Sequence, residues 1–325
     1  MLDCIQVFKR LFLHRTGETC SPSLRKLGPY LKRRSNIIEG KGMKPVTRLI
    51  LPGVVLLFLS AGCSLSNFLG RHVVETQREL MPLKKGDIRL YVSEEKSFEP
   101  GEVLRAFDSS RVYQQAGPRD LLFVHGMGDY PSRVRYNLLF ERLPEKYGAG
   151  VVVFKWPAWI DARTIPRKNG RASAPWLLKT LRAWATDTSR ARRRVLMTHS
   201  MGAVVLRKML EDYKGDLPAG FLDAVLIVAP ETDLRGHARW LEKLDFAKEV
   251  YLFYNGEDQV LEPVKVYTHR ERLGMQIRRA DGSPEPLARN TIYIDATRAT
   301  DWHAYHLWRQ NERLERLMRD LITGG

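Results

Sequence analysis

Six short apolar runs, separated by segments of helical length, restrict this chain more than any other feature. They occupy residues 120–125, 150–156, 194–198, 222–228, 250–254 and 291–295. Rich in Val, Leu, Ile and Phe, with little polar alternation, they read as strands covered on both faces. Helical patterns fall between and after them, at 132–147, 175–189, 201–214, 236–247, 260–272 and 302–322. Strand and helix in alternation imply parallel β-α-β crossovers. The expected class is therefore α/β, with a mostly parallel central sheet and helices on both faces. A further strand is expected at the sheet's edge near 88–92. Only about 20 residues separate the run 222–228 from the next strand, which leaves no room there for a large cap domain. With 44% hydrophobic residues in a chain of 325, there is ample apolar surface for one large domain, placed at 85–325.

The first third of the excess charge has a different origin. Residues 1–42 carry nine Lys/Arg against three Asp/Glu, within an overall formal charge of +16. About half of that excess lies upstream of Cys63, so the body is only mildly basic and nucleic acid is not an expected partner. Lys44 and Arg48 form a short positive region, Leu49 to Leu59 an apolar one, and Ser60-Ala61-Gly62 supply small residues before Cys63. These are the parts of a secretory signal. The apolar stretch is too short to span a bilayer comfortably. The cysteine after the small residues resembles the bacterial lipoprotein signal. That resemblance implies cleavage before Cys63, lipidation of its thiol, and a membrane anchor through the N-terminal lipid. A residue other than Asp at Ser64 implies, by the same resemblance, the outer membrane facing the periplasm. Signals work at the extreme N-terminus, so Met43 is the expected start and 1–42 a mis-assigned extension or a basic tail. The expected divisions are then 1–42, the signal 43–62, a tether 63–84 and the domain 85–325. Only three cysteines occur, Cys4, Cys20 and Cys63, which excludes a disulfide scaffold and a multi-cysteine zinc site.

The chemistry-bearing residues follow strands. Thr198-His199-Ser200-Met201-Gly202 lies between the run 194–198 and the apolar segment 203–210. A serine in a sharp strand-to-helix turn projects its hydroxyl above the sheet, and the helix start aims free N–H groups at developing negative charge. Elsewhere such a serine is no more than a helix N-cap. Three other strand ends carry His125-Gly126-Met127-Gly128, Asn255-Gly256-Glu257-Asp258 and Asp301-Trp302-His303. The serine turn resembles the nucleophile elbow of the α/β-hydrolase superfamily, with Thr198 where a glycine is usual. The order Ser200, Asp258, His303 is that superfamily's serine–acid–histidine order. Arg272-Leu273-Gly274 and Ala304-Tyr305 are similar to a bacterial group of hydrolases within it.

The resemblance implies a serine esterase or related acyl hydrolase that needs no cofactor. Ser200 is the implied nucleophile, His303 its base and Asp258 the acid that orients the base. Backbone N–H groups of Met127 and Met201 are the implied oxyanion hole. Asp233 also follows a strand and competes for the acid's role; His306 competes for the base's. His199 and His125 are expected to support loops rather than transfer protons. Asp301, His303 and His306 form a weak metal-ligand spacing, and no metal is expected. Residues 163–194 hold ten Lys/Arg against Asp187, either a solvated face or a patch for anionic substrate or lipid. The expected substrate is a small-molecule or lipid ester. An acyltransferase or thioesterase with the same triad, and an inactive binding protein of the same fold, are the alternatives.

Overall fold

The computed structural model describes residues 83, 86–93, 95–110, 119–127, 142–158, 166–187, 192–300, 302–307 and 311–325. The signal-like segment and Cys63 lie outside the described residues. Among the described residues there are eight strands: β1 Arg89–Tyr91, β2 Ser97–Phe98, β3 Arg119–Val124, β4 Gly150–Lys155, β5 Arg193–His199, β6 Leu222–Val228, β7 Ala247–Tyr254 and β8 Thr291–Asp295. The helices are α1 Val103–Ser110, α2 Leu143–Tyr147, α3 Pro166–Ala185, α4 Gly202–Asp212, α5 His237–Leu241, α6 Leu261–Thr268 and α7 Glu312–Thr323. The strands make one sheet in the order β2-β1-β4-β3-β5-β6-β7-β8. Pairing is parallel from β4 through β8 and antiparallel only where β1 meets β2 and β4.

Alternation along each strand divides the core in two. Leu122, Val124, Leu196, Val225, Ile227 and Leu252 point to the face covered by α1, α3, α4 and α5. Leu121, Phe123, Met197, Leu226 and Phe253 point to the other, covered by α2 and α7. Both faces of the central strands are thus dry, which is why their sequence shows no polar alternation. Between β6 and β7 the chain forms only loops and α5, so no cap domain is inserted there.

Several expected boundaries moved, for identifiable reasons. Proline at 175 suggests the first turn of a helix, yet α3 runs through Pro175 from Pro166. Asn169, Gly170, Ser173 and Ala174 are buried in that upstream half. The expected C-terminal helix 302–322 begins only at Glu312, because Asn311 is extended and its side chain accepts the N–H groups of Arg313 and Leu314. Residues 303–307 form a turn instead. α6 stops at Thr268, where His269 enters the left-handed region at φ 51°, so Arg272-Leu273-Gly274 does not end a helix.

The basic segment is not one surface. Arg192 pairs with Asp120 at 2.8 Å, Arg193 donates to Leu321 O at 2.7 Å, and Arg194 donates to Asp187 O. All three lie at the start of β5, roughly 20 Å of strand from its far end. They cannot face a ligand held at Ser200.

Candidate active site

The order of strands changes direction at β3: β4 lies on one side and β5 on the other. The carboxyl ends of β3 and β5 therefore diverge into a crevice, the place where open α/β sheets bind ligands. His125, Gly126 and Met127 follow β3 there, and Ser200 follows β5.

Ser200 sits at φ 52°, a left-handed conformation costly for a residue with a Cβ. Local hydrogen bonds hold it. Its N–H donates to Val228 O at 3.0 Å, and its carbonyl accepts from Ala203 and Glu231 N–H, each at 3.1 Å. Gly202 lets α4 press onto β3, since a Cβ there would meet Val124 O at 2.4 Å. At Gly126 a Cβ would approach Ser200 Cβ and His199 Nδ1 at 3.0 Å each. The loop after β3 is thereby packed against the serine. No side chain caps α4; the N–H groups of Ala203 and Val204 bond back to Ser200 and Met201. Among the described residues, the N–H groups of Met127 and Met201 donate to no carbonyl. His125 stiffens this region: Trp156 N–H donates to its Nε2 at 3.2 Å, which leaves Nδ1–H to donate to Gly126 O at 2.8 Å.

Asp258 and His303 meet. His303 Nδ1 lies 2.7 Å from Asp258 Oδ2. Asp258 is fully buried, and its other oxygen, Oδ1, accepts from Val260 N–H at 2.9 Å and Leu261 N–H at 3.0 Å. The carboxylate is thus satisfied on both sides without water. Asn255 joins the turn of Asp258 to the loop before His303: its Nδ2 donates to Thr300 O at 3.0 Å, and its Oδ1 accepts from Glu257 N–H. Ser200 Oγ makes no hydrogen bond to His303. The ring of His199, the residue before Ser200, lies 4.7 Å from that of His303 between centroids.

Asp233 is occupied elsewhere. It pairs with Arg272 at 2.8 Å, with Arg270 at 3.1 Å and with Arg207 at 3.8 Å. Arg272 is wholly buried and also lies 3.5 Å from Glu231, which pairs with Arg167. Sequence reasoning missed this network, because Arg272 is 39 residues from Asp233 and the two meet through an irregular bridge. Arg167, one of the basic residues of the segment 163–194, is tied to Glu231 in the loop after β6. Asp301 lies outside the described residues.

His306 is not beside Asp258. It is fully buried, 4.2 Å from the His199 ring and 5.3 Å from Phe123, and neither ring nitrogen has a partner among the described residues. Tyr147 Oη, also missed from sequence, donates to its carbonyl at 2.7 Å. Burial holds both His199 and His306 well below the usual imidazole value; Lys146 and His303 add to this at His306, and His306 and His303 at His199. In the unfolded chain each ring takes a proton near pH 6.5. Below that pH the unfolded state binds more protons, so stability falls as pH drops, by about 1.4 kcal/mol per pH unit for each ring. His306→Phe removes one such group. We expect its stability, from denaturant midpoints between pH 6.5 and 5, to fall less steeply than the wild type's. An unchanged slope would mean that His306 is not a buried neutral ring.

Comparison with known proteins places residues 109–297 in a match to the family model described as "Alpha/beta hydrolase of unknown function (DUF900)". Among solved structures, a predicted CIB-like hydrolase from Thermoplasma acidophilum is similar at 18% identity, covering 65% of this chain and 89% of that one, with a TM-score of 0.37. An esterase from Pyrobaculum calidifontis is similar at 12% identity, covering 65% and 79%, with a TM-score of 0.33. A hormone-sensitive lipase from a metagenome library shares 14% identity over 64% and 78%, with a TM-score of 0.35. No curated protein matches the chain.

Proposed function

Because this chain belongs to the DUF900 family of α/β-hydrolases, we propose that it is a serine hydrolase cleaving carboxylic esters through Ser200, His303 and Asp258. The observation that carries this reading is the 2.7 Å contact from His303 Nδ1 to a buried Asp258, in a site whose serine occupies a left-handed elbow. A serine hydroxyl is a poor nucleophile until a base takes its proton. With Nδ1–H donated to Asp258, His303 presents a bare Nε2 for that purpose. Ser200 Oγ bonds to the acyl carbon while its proton passes to Nε2. The carbonyl oxygen becomes an oxyanion, and the N–H groups of Met127 and Met201 stabilise it. Collapse returns the Nε2 proton to the departing alcohol and leaves an acyl group on Ser200. Water, deprotonated by His303, releases the acid and restores the serine. Asp258 fixes the tautomer and stabilises the imidazolium throughout.

A fluorophosphonate probe tests the reading directly, because it forms a bond only with an activated serine. We expect stoichiometric labelling, with the adduct on the peptide containing Ser200. Short soluble esters should be turned over without an emulsified interface, since the loop between β6 and β7 carries no cap. An unlabelled, inactive protein would instead favour a binding role for the same fold.

The proposed setting is the cell envelope, with the domain held to the outer membrane through a lipid on Cys63. The support is the succession of Lys44 and Arg48, the apolar run 49–59 and Gly62-Cys63. Among the described residues no helix is long and apolar enough to cross a membrane. Mass spectrometry of detergent-extracted protein should find a mature N-terminus at Cys63 carrying diacylglycerol. An intact peptide spanning 55–70 in the mature protein would refute the anchor.

A further inference from the structure

We propose that His199 is a positioning residue that sets where His303 stands relative to Ser200. The inference rests on the serine-hydrolase reading and goes beyond it, because no triad role requires a histidine before the nucleophile. His199 ends β5, paired with Val228 of β6, so its backbone is held by the sheet. Its side chain reaches the base's loop. Nε2 lies 3.3 Å from the carbonyl oxygen of His303. A carbonyl can only accept, so Nε2 carries the proton and donates it. The ring is buried, and burial keeps it uncharged. Nδ1 is therefore bare, and it faces the position where a Cβ on Gly126 would sit, at 3.0 Å.

One neutral imidazole thus lies against three of the four loops of the proposed site. Gly126 belongs to the loop that carries the Met127 N–H; Ser200 is the next residue; His303 and His306 lie against its ring, at 4.7 and 4.2 Å between centroids. The base's loop needs such a support. Residues 303–307 are a turn without the ladder of a helix. Asp258 holds the His303 side chain, and Tyr147 holds the His306 carbonyl. The His303 backbone itself is held by His199. Asp258 alone leaves the imidazole free to swing about the Nδ1 contact, whereas a fixed backbone and a ring packed beside it fix the direction of Nε2. A displacement of about 1 Å in a reacting group lowers turnover by up to about 100-fold.

The decisive comparison is His199→Phe against His199→Gln in the full chain, assayed with p-nitrophenyl butyrate. Phenylalanine keeps a ring but cannot donate. Glutamine places an amide N–H where Nε2–H stands. We expect His199→Phe to lower kcat by about 10- to 100-fold with KM within about threefold, since substrate contacts remain. Fluorophosphonate labelling of Ser200 should slow in step with kcat. His199→Gln should recover kcat to within about threefold of the wild type. Should the phenylalanine variant fail to fold, Gln against Asn decides. The asparagine amide stops about one bond short of the His303 carbonyl, so Asn should be slow where Gln is not. Full kcat in His199→Phe, or equal rates in Gln and Asn, would overturn the proposal. A wild type that fails to label at Ser200 would instead overturn the hydrolase reading, before any His199 variant is compared.

Discussion

Ester turnover in Ser200→Ala is expected to fall by about six orders of magnitude, and His303→Ala by a comparable factor, because neither group acts without the other. Alanine at 200 removes only Oγ. The backbone bonds that hold the elbow, from Val228, Ala203 and Glu231, do not involve it, so the melting temperature should stay within a few degrees. His303→Ala is different: it strips Oδ2 of buried Asp258 of its partner while Oδ1 keeps two N–H donors. Some stability should be lost with the activity, on the order of 1–3 kcal/mol. The double variant Ser200→Ala/His303→Ala separates joint from independent action. If the two side chains form one device, it is no slower than the worse single variant; additive losses would mean that Ser200 and His303 serve different steps. Residual hydrolysis above the uncatalysed rate should persist in all three, from the N–H groups at the end of β3 and the start of α4.

The fold was most legible where burial is complete. β6 and β8 fall on the expected 222–228 and 291–295; β6, apolar but for Asp223, leaves little room for another reading. Legibility failed where one local signal outweighed packing. Pro175 suggests a helix start, but burial of Ser173 and Ala174 carries α3 nine residues further upstream. β2 has only two residues, Ser97 and Phe98, too few to show any period. At the site, chain order and strand ends place Ser200, Asp258 and His303 in comparable loops, because topology brings every such loop to one end of a parallel sheet. The choice between Asp258 and Asp233 is of another kind. Each follows a strand, and sequence offers only a preference between them. In the structure Arg272, Arg270 and Arg207 gather around Asp233 from distant parts of the chain, while Asp258 lies against His303. Likewise nothing in the spacing of His199 and His303, 104 residues apart, announces their contact.

Asp258→Asn should lower kcat by roughly four orders of magnitude with folding retained. The argument starts from the two backbone donors. Val260 and Leu261 N–H both point at Oδ1, so an asparagine keeps its carbonyl oxygen there and turns its NH2 toward His303. Nδ1 of His303, which donates to Oδ2 in the native site, then faces a donor and must become an acceptor. The proton moves to Nε2, the atom that has to take the proton of Ser200, and the base is disabled by its tautomer without being displaced. KM should change little. Asp233→Asn should do the reverse. It withdraws a charge from buried Arg272, whose other acidic neighbour, Glu231, is shared with Arg167. The melting temperature should drop, reflecting a loss of about 2–4 kcal/mol, while the protein that remains folded keeps kcat within about threefold. The two variants thus divide one sequence ambiguity into two measurements, turnover per folded molecule and thermal midpoint. An inactive but stable Asp233→Asn beside an active Asp258→Asn would move the acid to β6 and leave the contact between Asp258 and His303 without a catalytic part.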